Sequence, residues 1–303
     1  MMRAFTGSFA IAVWLALVSL AAADEAALRS IPKVERFYER RLEDARAGNL
    51  PPVFHGSASV VPTRVEGFTV SLGLPGFPQE RGHFCGGVIV DPHWVLTAAH
   101  CVSESAGTRS VRALQSGQVQ VLAGTTILYS GGQTRQATRI VLHPDFKLGA
   151  AGTPENDLAL LHFAEPLPGR PIPLASRELA QAVTRDGERI GIFGWGTSRF
   201  STDSPISTTL LYAFVEAVDR STCNKAYAGA VTDKMFCAGL GSADACQGDS
   251  GGPAFSYDDN DRMVLVGITS WGAGCTQRKY PGVYVDVVKY ADWIHDTIGN
   301  RTN

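Results

Sequence analysis

From Val53 onward the chain is a succession of short β-type runs, each ended within a few residues by Gly, Pro, Asp or Asn. They include Phe68–Leu72, Gly87–Val90, Val119–Leu122, Ala159–Phe163, Ile190–Phe193, Val264–Ile268 and Val283–Val287. Strands this short and closely spaced fold as a sandwich or a barrel. No long helical pattern alternates with them, which argues against a parallel doubly wound sheet. One helix closes the chain, with Val287, Tyr290, Ala291, Ile294 and Ile298 on a single face. A body of this length buries a sizeable core without dense cross-linking.

The first 52 residues differ. Residues 1–23 read as a secretory signal peptide: Arg3 supplies the positive start, Ala10 to Leu20 is an almost unbroken apolar run, and Ala21-Ala22-Ala23 offers a cleavage site before Asp24. A membrane anchor is the alternative, but the run is short and charge resumes at once. Residues 24–52 hold six acidic and six basic side chains, with Val34, Phe37, Tyr38 and Leu42 on one helical face. This is the pattern of a propeptide, or of an N-terminal helix docked on the mature domain.

Over the 303 residues, 45% are hydrophobic and 18% charged, which excludes a disordered chain. The net charge of −2 provides no basic excess for nucleic acid. Export implies an oxidising compartment, so six cysteines point to disulfides rather than metal ligands or redox thiols. Fifteen pairings are open at this level.

Three segments carry chemistry: Leu96-Thr97-Ala98-Ala99-His100-Cys101, Glu155-Asn156-Asp157-Leu158-Ala159-Leu160-Leu161, and Gly248-Asp249-Ser250-Gly251-Gly252-Pro253. Each has a plain reading: a core histidine, a turn aspartate, a tight turn. Joined, they form a nucleophile, its base and the acid that orients the base. A serine hydroxyl needs a base to remove its proton, and a histidine near neutrality suits that task. A buried carboxylate fixes the imidazole tautomer, and surrounding glycines free backbone N–H groups to converge on a developing oxyanion.

These segments, in this order, resemble the chymotrypsin/trypsin family of serine endopeptidases, and the likeness runs through residues 53–303. The G-x-S-x-G pattern of α/β-hydrolases is also satisfied at Gly248–Gly252. That class orders its triad Ser, acid, His, and only His295 follows Ser250, inside the terminal helix. An inactive homologue serving as a binding protein would be expected to lack a triad residue, and here all three are present.

The resemblance implies two six-stranded antiparallel β-barrels, with the active site between them, and a C-terminal helix. It implies His100, Asp157 and Ser250 as catalytic residues, with the Gly248 and Ser250 N–H groups as oxyanion hole. Asp244 corresponds to the base of the primary specificity pocket, and Ser270, Trp271, Gly272 and Gly282 to its walls. Cleavage after Arg or Lys follows. Ala245 stands where many relatives carry Ser, which removes an acceptor for a lysine ammonium and favours Arg. The implied disulfides are Cys85–Cys101, Cys223–Cys237 and Cys246–Cys275.

Activation in this family pairs a newly freed α-amino group with the carboxylate before the nucleophile, here Asp249. The corresponding terminus is Val53-Phe54-His55-Gly56, but Pro52 precedes it where Arg or Lys is usual. Ser71 and His83 match positions that hold the equivalent aspartate in the uncleaved chymotrypsin precursor, which favours a zymogen. Gly107 to Pro144 contains no Asp or Glu, so no calcium is expected in that loop; no cofactor is implied. Expected partners are protein or peptide substrates with Arg or Lys at the cleavage site, and protein inhibitors. A secreted monomer, extracellular or periplasmic, with no membrane contact after signal removal, completes the expectation.

Overall fold

The computed structural model describes residues 59–60, 67–105, 111–149, 152–197, 206–239, 244–275 and 279–299. All lie within the compact unit Pro51–Asn303. The signal and pro-segment assignments, and Val53, fall outside the described residues.

The first half contains β1 (Ser59–Val60), β2 (Thr69–Gly73), β3 (His83–Asp91), β4 (Trp94–Thr97), β5 (Ser103–Ser105), β6 (Val111–Ala113), β7 (Gln120–Ala123), β8 (Gln133–Gln136), β9 (Arg139–Leu142), β10 (Lys147–Leu148), β11 (Pro154–Glu155) and β12 (Ala159–His162). The second contains β13 (Arg189–Gly194), β14 (Leu211–Val218), β15 (Met235–Ala238), β16 (Pro253–Tyr257), β17 (Met263–Trp271) and β18 (Gly282–Asp286).

One antiparallel sheet runs β8-β7-β2-β3-β4-β12-β9. Its edges are joined by only Ala137 and Thr138. The Ala137 N–H donates to the Val119 carbonyl beside β7, and the Thr138 N–H to the His162 carbonyl of β12. β8 and β9 are therefore the two ends of one bent run, and the sheet curls on itself. The other sheet runs β1-β14-β13-β16-β17-β18-β15, and a further β14–β15 pairing closes six of its strands into a barrel. Closure removes the open edges that an exposed sheet would leave. The two-barrel expectation thus takes the form of one closed barrel and one curled sheet.

Strand patterning explains the core. Val70 and Leu72 of β2, Val95 of β4, Val121 of β7 and Leu160 of β12 are buried in the first sheet. Ile190, Val215, Phe236, Ala254, Val266 and Tyr284 form one cluster in the barrel. The Phe68 and Phe193 rings meet edge-on at 5.7 Å between the two.

The backbones themselves touch at Gly86 and Gly252. A Cβ on Gly86 would lie 2.9 Å from the Gly252 Cα, so the approach admits no side chain.

The closing helix, Ala291–Gly299, follows a turn at Val287–Tyr290 that Asp286 caps through the Val288 N–H. Val287, Tyr290 and Ile294 of the expected face are buried. Sequence periodicity overlooks two seven-residue helices, Arg177–Val183 and Arg220–Ala226. Each has two turns, too few for a period, and each is signalled only by its cap, Ser176 or Asp219.

Candidate active site

Register brings His100 and Asp157 together. β4 and β12 pair with Thr97 opposite Ala159, so His100, three residues beyond one, and Asp157, two before the other, leave the sheet at the same end. His100 sits in a single turn, Ala99–Val102, anchored by the Cys85–Cys101 disulfide. Asp157 follows Asn156, whose φ of 50° is a conformation that asparagine tolerates better than most residues. The Asn156 amide donates to the Asp145 carbonyl, and its oxygen accepts from Lys234 Nζ at 2.9 Å and the Tyr290 hydroxyl at 3.1 Å.

Asp157 is fully buried and accepts three hydrogen bonds. Oδ1 takes the His100 backbone N–H at 2.8 Å; Oδ2 takes His100 Nδ1–H at 2.7 Å and the Ser270 hydroxyl at 2.5 Å. Burial alone would raise the Asp157 pKa, but the His100 charge and these donors outweigh it and hold the group below its ordinary value. Burial would lower His100, and the facing carboxylate reverses that and leaves it raised. An ionised Asp157 keeps the proton on Nδ1 and leaves Nε2 as the free acceptor.

Ser250 comes from the closed barrel, just ahead of β16. Its carbonyl accepts from the Gly86 N–H at 2.7 Å, and the Gly251 N–H donates to Thr269 of β17 at 2.8 Å. The Ser250 hydroxyl points to the Ser270 carbonyl, 3.5 Å away, rather than to His100. Cys101 Sγ lies 3.7 Å from both His100 Nε2 and the Ser250 carbonyl oxygen, so the imidazole edge and the serine share a neighbour. Catalytic hydrogen bonds are commonly long without substrate. Among the described residues, no acceptor takes the Gly248 or Ser250 N–H. Gly248 has φ of +96°, open to glycine alone, and Ser250 lies between it and Gly251 at +80°.

Asp249 is buried behind this turn. Its carboxylate accepts from the Gly196 N–H at 2.7 Å and the Cys246 N–H at 2.8 Å. Burial pushes its pKa up to about 6 against those two donors. A Cβ on Gly194 would fall 1.8 Å from Asp249 Oδ1, so the carboxylate occupies space that only glycine leaves. His83 bonds Ser71 Oγ at 2.6 Å and the Gly248 carbonyl at 3.1 Å, and does not hold Asp249.

The residues expected to form a pocket gather beside this turn. A Cβ on Gly282 would lie 3.0 Å from Asp244 Oδ1, and one on Gly272 would lie 3.7 Å from the Gly282 Cα. Ala245 packs against the barrel core, and Cys246–Cys275 ties the segment after Asp244 to the one after Gly272. Cys223–Cys237 joins the helix Arg220–Ala226 to β15. Tyr227, which sequence reasoning missed, joins the segments around Trp271 and Pro281. Its hydroxyl donates to the Pro281 carbonyl and accepts from the Ala273 N–H, and its ring lies 4.7 Å from Trp271. Nothing in the sequence marks Tyr227 or Asn156 beyond their nearness to a helix end and to Asp157.

The only cluster of potential metal ligands among the described residues is Cys85, His100 and Cys101, and both its sulfurs are in a disulfide. No helix among the described residues is long and apolar enough to cross a membrane.

The sequence model of the Trypsin family matches residues 59–294. The chain is 38% identical over 224 residues to Trypsin Blo t 3 of Blomia tropicalis, covering 71% of this chain and 77% of that protein. It is 37% identical over 249 residues to Trypsin 5G1 of Aedes aegypti, covering 79% and 83%. A third relative, Transmembrane protease serine 9 of Rattus norvegicus, is 37% identical over 220 residues, 71% of this chain and 20% of the relative. With the fold and these relatives in agreement, the chain belongs to the trypsin family of serine endopeptidases.

Proposed function

We propose that the protein hydrolyses peptide bonds after Arg, and less well after Lys, through an acyl-enzyme on Ser250. The observation that carries this reading is the triple hydrogen bonding of buried Asp157, which leaves His100 Nε2 free to act as a base toward the serine beside it. Ser250 Oγ attacks the scissile carbonyl while His100 Nε2 takes its proton. The oxyanion is received by the Gly248 and Ser250 N–H groups. Collapse breaks the C–N bond, and His100 returns the proton to the leaving amine. Water then attacks the ester with His100 again as base, which releases the acid and restores Ser250.

Specificity is assigned to Asp244 beneath the paired glycines Gly272 and Gly282. A carboxylate in that slot attracts a cationic side chain and offers an apolar one nothing in return for its desolvation. Ser270, Trp271 and Gly272 offer an edge on which substrate backbone adds as a strand.

The maturation reading is supported by sequence and by Asp249. Residues 1–23 direct export, 24–52 are a propeptide, and the Val53 amine pairs with Asp249. The raised pKa of that buried carboxylate, held by two backbone donors, is what an incoming cation would relieve. Protein inhibitors are the other expected partners, and a monomer the expected state.

A fluorogenic Arg-peptide assay with Ser250→Ala as control tests the reading. In a serine protease that carries the same triad on an unrelated fold, loss of the nucleophile costs about a millionfold in turnover. Appreciable peptidase activity in the Ser250→Ala protein would overturn the assignment. Mass analysis of the active species tests maturation, since a form that retains residues before Val53 rules out amine insertion.

A further inference from the structure

A chain of oriented hydrogen bonds reaches the Gly248 turn from a segment the proposed mechanism does not use. Gln79 stands at the start of the single helical turn Gln79–Gly82, in the loop between β2 and β3, with its side chain buried. Gln120 Nε2 donates to Gln79 Oε1 at 3.4 Å, which sets the amide's orientation. Gln79 Nε2 then donates to the Ser71 carbonyl at 3.0 Å and to Ser71 Oγ at 2.7 Å. Ser71 Oγ meets His83 Nδ1 at 2.6 Å, and His83 Nε2 meets the Gly248 carbonyl at 3.1 Å.

Only one set of proton positions satisfies this chain. A carbonyl only accepts, so the ring proton of His83 sits on Nε2. Burial lowers the His83 pKa to about 4, so the ring is neutral at working pH and carries one N–H. Nδ1 is then a lone pair, and the Ser71 hydroxyl donates to it. The Ser71 oxygen in turn accepts from Gln79. Gln79 thus sets the polarity of a relay that ends on the turn carrying the nucleophile. The sequence makes room for it: a Cβ on Gly73 would strike the Gln79 amide at 2.5 to 2.8 Å, and the β2–β3 ladder shifts register between Leu72 and Gly73.

We propose that Gln79 is a positioning residue for the oxyanion turn, acting by holding the Ser71 hydroxyl and His83 in the one tautomer that grips the Gly248 carbonyl. The inference rests on the reading of the Gly248 N–H as an oxyanion donor. Without the Gln79 donor, the Ser71 hydroxyl is free to turn. The alternative tautomer then sets the Nε2 lone pair against the Gly248 oxygen. Gly248, which has no side chain to restrain it, can rotate away.

The test compares wild type, Gln79→Met, Gln79→Glu and Ser71→Ala, all produced from the full chain. The readouts are kcat and KM on an Arg-peptide, and binding of benzamidine, a small cation for the pocket. An ionised glutamate only accepts, so Gln79→Glu turns the Ser71 hydroxyl toward itself and reverses the relay. The expected result is a loss in kcat of about tenfold for Gln79→Met and more for Gln79→Glu, from one misdirected hydrogen bond. KM and benzamidine affinity should stay within about twofold, because neither draws on the oxyanion donors. Gln79→Met should have no further effect in a Ser71→Ala background. Nitrogen NMR of the histidines should find His83 protonated on Nε2 in wild type and on Nδ1 in Gln79→Glu.

Two results overturn the proposal alone: an active wild type whose kcat ignores residue 79, or kcat and benzamidine affinity falling in parallel as they would for a packing role. A wild type with no Arg-peptidase activity overturns the reading of the site and this inference with it.

Discussion

Replacing Asp157 by Asn is the sharpest test of the site, because every hydrogen bond it disturbs has a fixed direction. The carboxylate now accepts the His100 backbone N–H on Oδ1, and His100 Nδ1–H with the Ser270 hydroxyl on Oδ2. An amide has one oxygen. If that oxygen stays on the backbone N–H, the new NH2 faces Nδ1, which must become an acceptor. The ring proton moves to Nε2, and the base toward Ser250 is lost. If the amide flips, NH2 faces the backbone N–H at what was 2.8 Å, donor against donor in a buried site. Restoring the working tautomer therefore costs a charge-assisted bond of about 1.5–3 kcal/mol and an orphaned buried donor of about 1–3 kcal/mol. Their sum, about 3–6 kcal/mol, is about a hundredfold to ten-thousandfold in rate. The family's own template for this change is about ten-thousandfold, at the top of that range. The assay is kcat/KM on an Arg-peptide at pH 8, alongside the thermal midpoint to show that the variant folds. A folded variant within about fivefold of wild type would refute the tautomer argument, and with it the role given to His100.

Three further outcomes follow from the same residues. Matched peptides should be cleaved several-fold to about tenfold better after Arg than after Lys, from one missing hydroxyl acceptor at Ala245, and Ala245→Ser should narrow the gap. The lowered pKa of His83 means the unfolded chain binds the proton more readily, so its contribution is complete above 6.5 and is lost as pH falls toward about 4, by at most about 3 kcal/mol. Urea unfolding of wild type and His83→Gln across that window should show a smaller loss of stability toward pH 4 in the variant, the difference being the share of His83. Opening Cys246–Cys275, whose sequence separation is 29, by a double Ser substitution should cost about 3–4 kcal/mol by loop entropy and lower the thermal midpoint by about 10 °C, with weaker benzamidine binding as the pocket walls loosen.

The legible part of the molecule was local. Runs such as Val264–Ile268 declare themselves through β-branched content, and the structure extends that run at both ends into β17 (Met263–Trp271). The terminal helix is visible because its apolar face repeats long enough to show a period. The triad segments stand out because their chemistry needs particular residue types beside glycine. What stayed hidden depends on pairings distant in sequence. Lys234 meets Asn156 only because the residue before β15 and the residue before Asp157 converge from the barrel and the curled sheet. Tyr227 becomes a link between segments only once Pro281 and Ala273 arrive beside it. Gln79 looks like an ordinary loop amide until its partners from β2 and β7 are in place. The curl of the first sheet was likewise invisible, since Ala137 and Thr138 carry no turn signature.

The bare glycine contact between Gly86 and Gly252 has a consequence for how this catalyst can drift. His100 sits on the curled sheet and Ser250 beside the barrel, so their separation depends on how the two bodies meet. Where such bodies meet through side chains, the gap depends on rotamers and shifts whenever an interface residue is replaced. At Gly86 and Gly252 the approach is main chain on main chain, so the spacing there is a matter of backbone atomic radii. The spacing at this point is thereby independent of any rotamer, while elsewhere Phe68 and Phe193 meet through their rings. A single methyl group at Gly86 would strike the Gly252 backbone and shift the alignment of His100 and Ser250 at once.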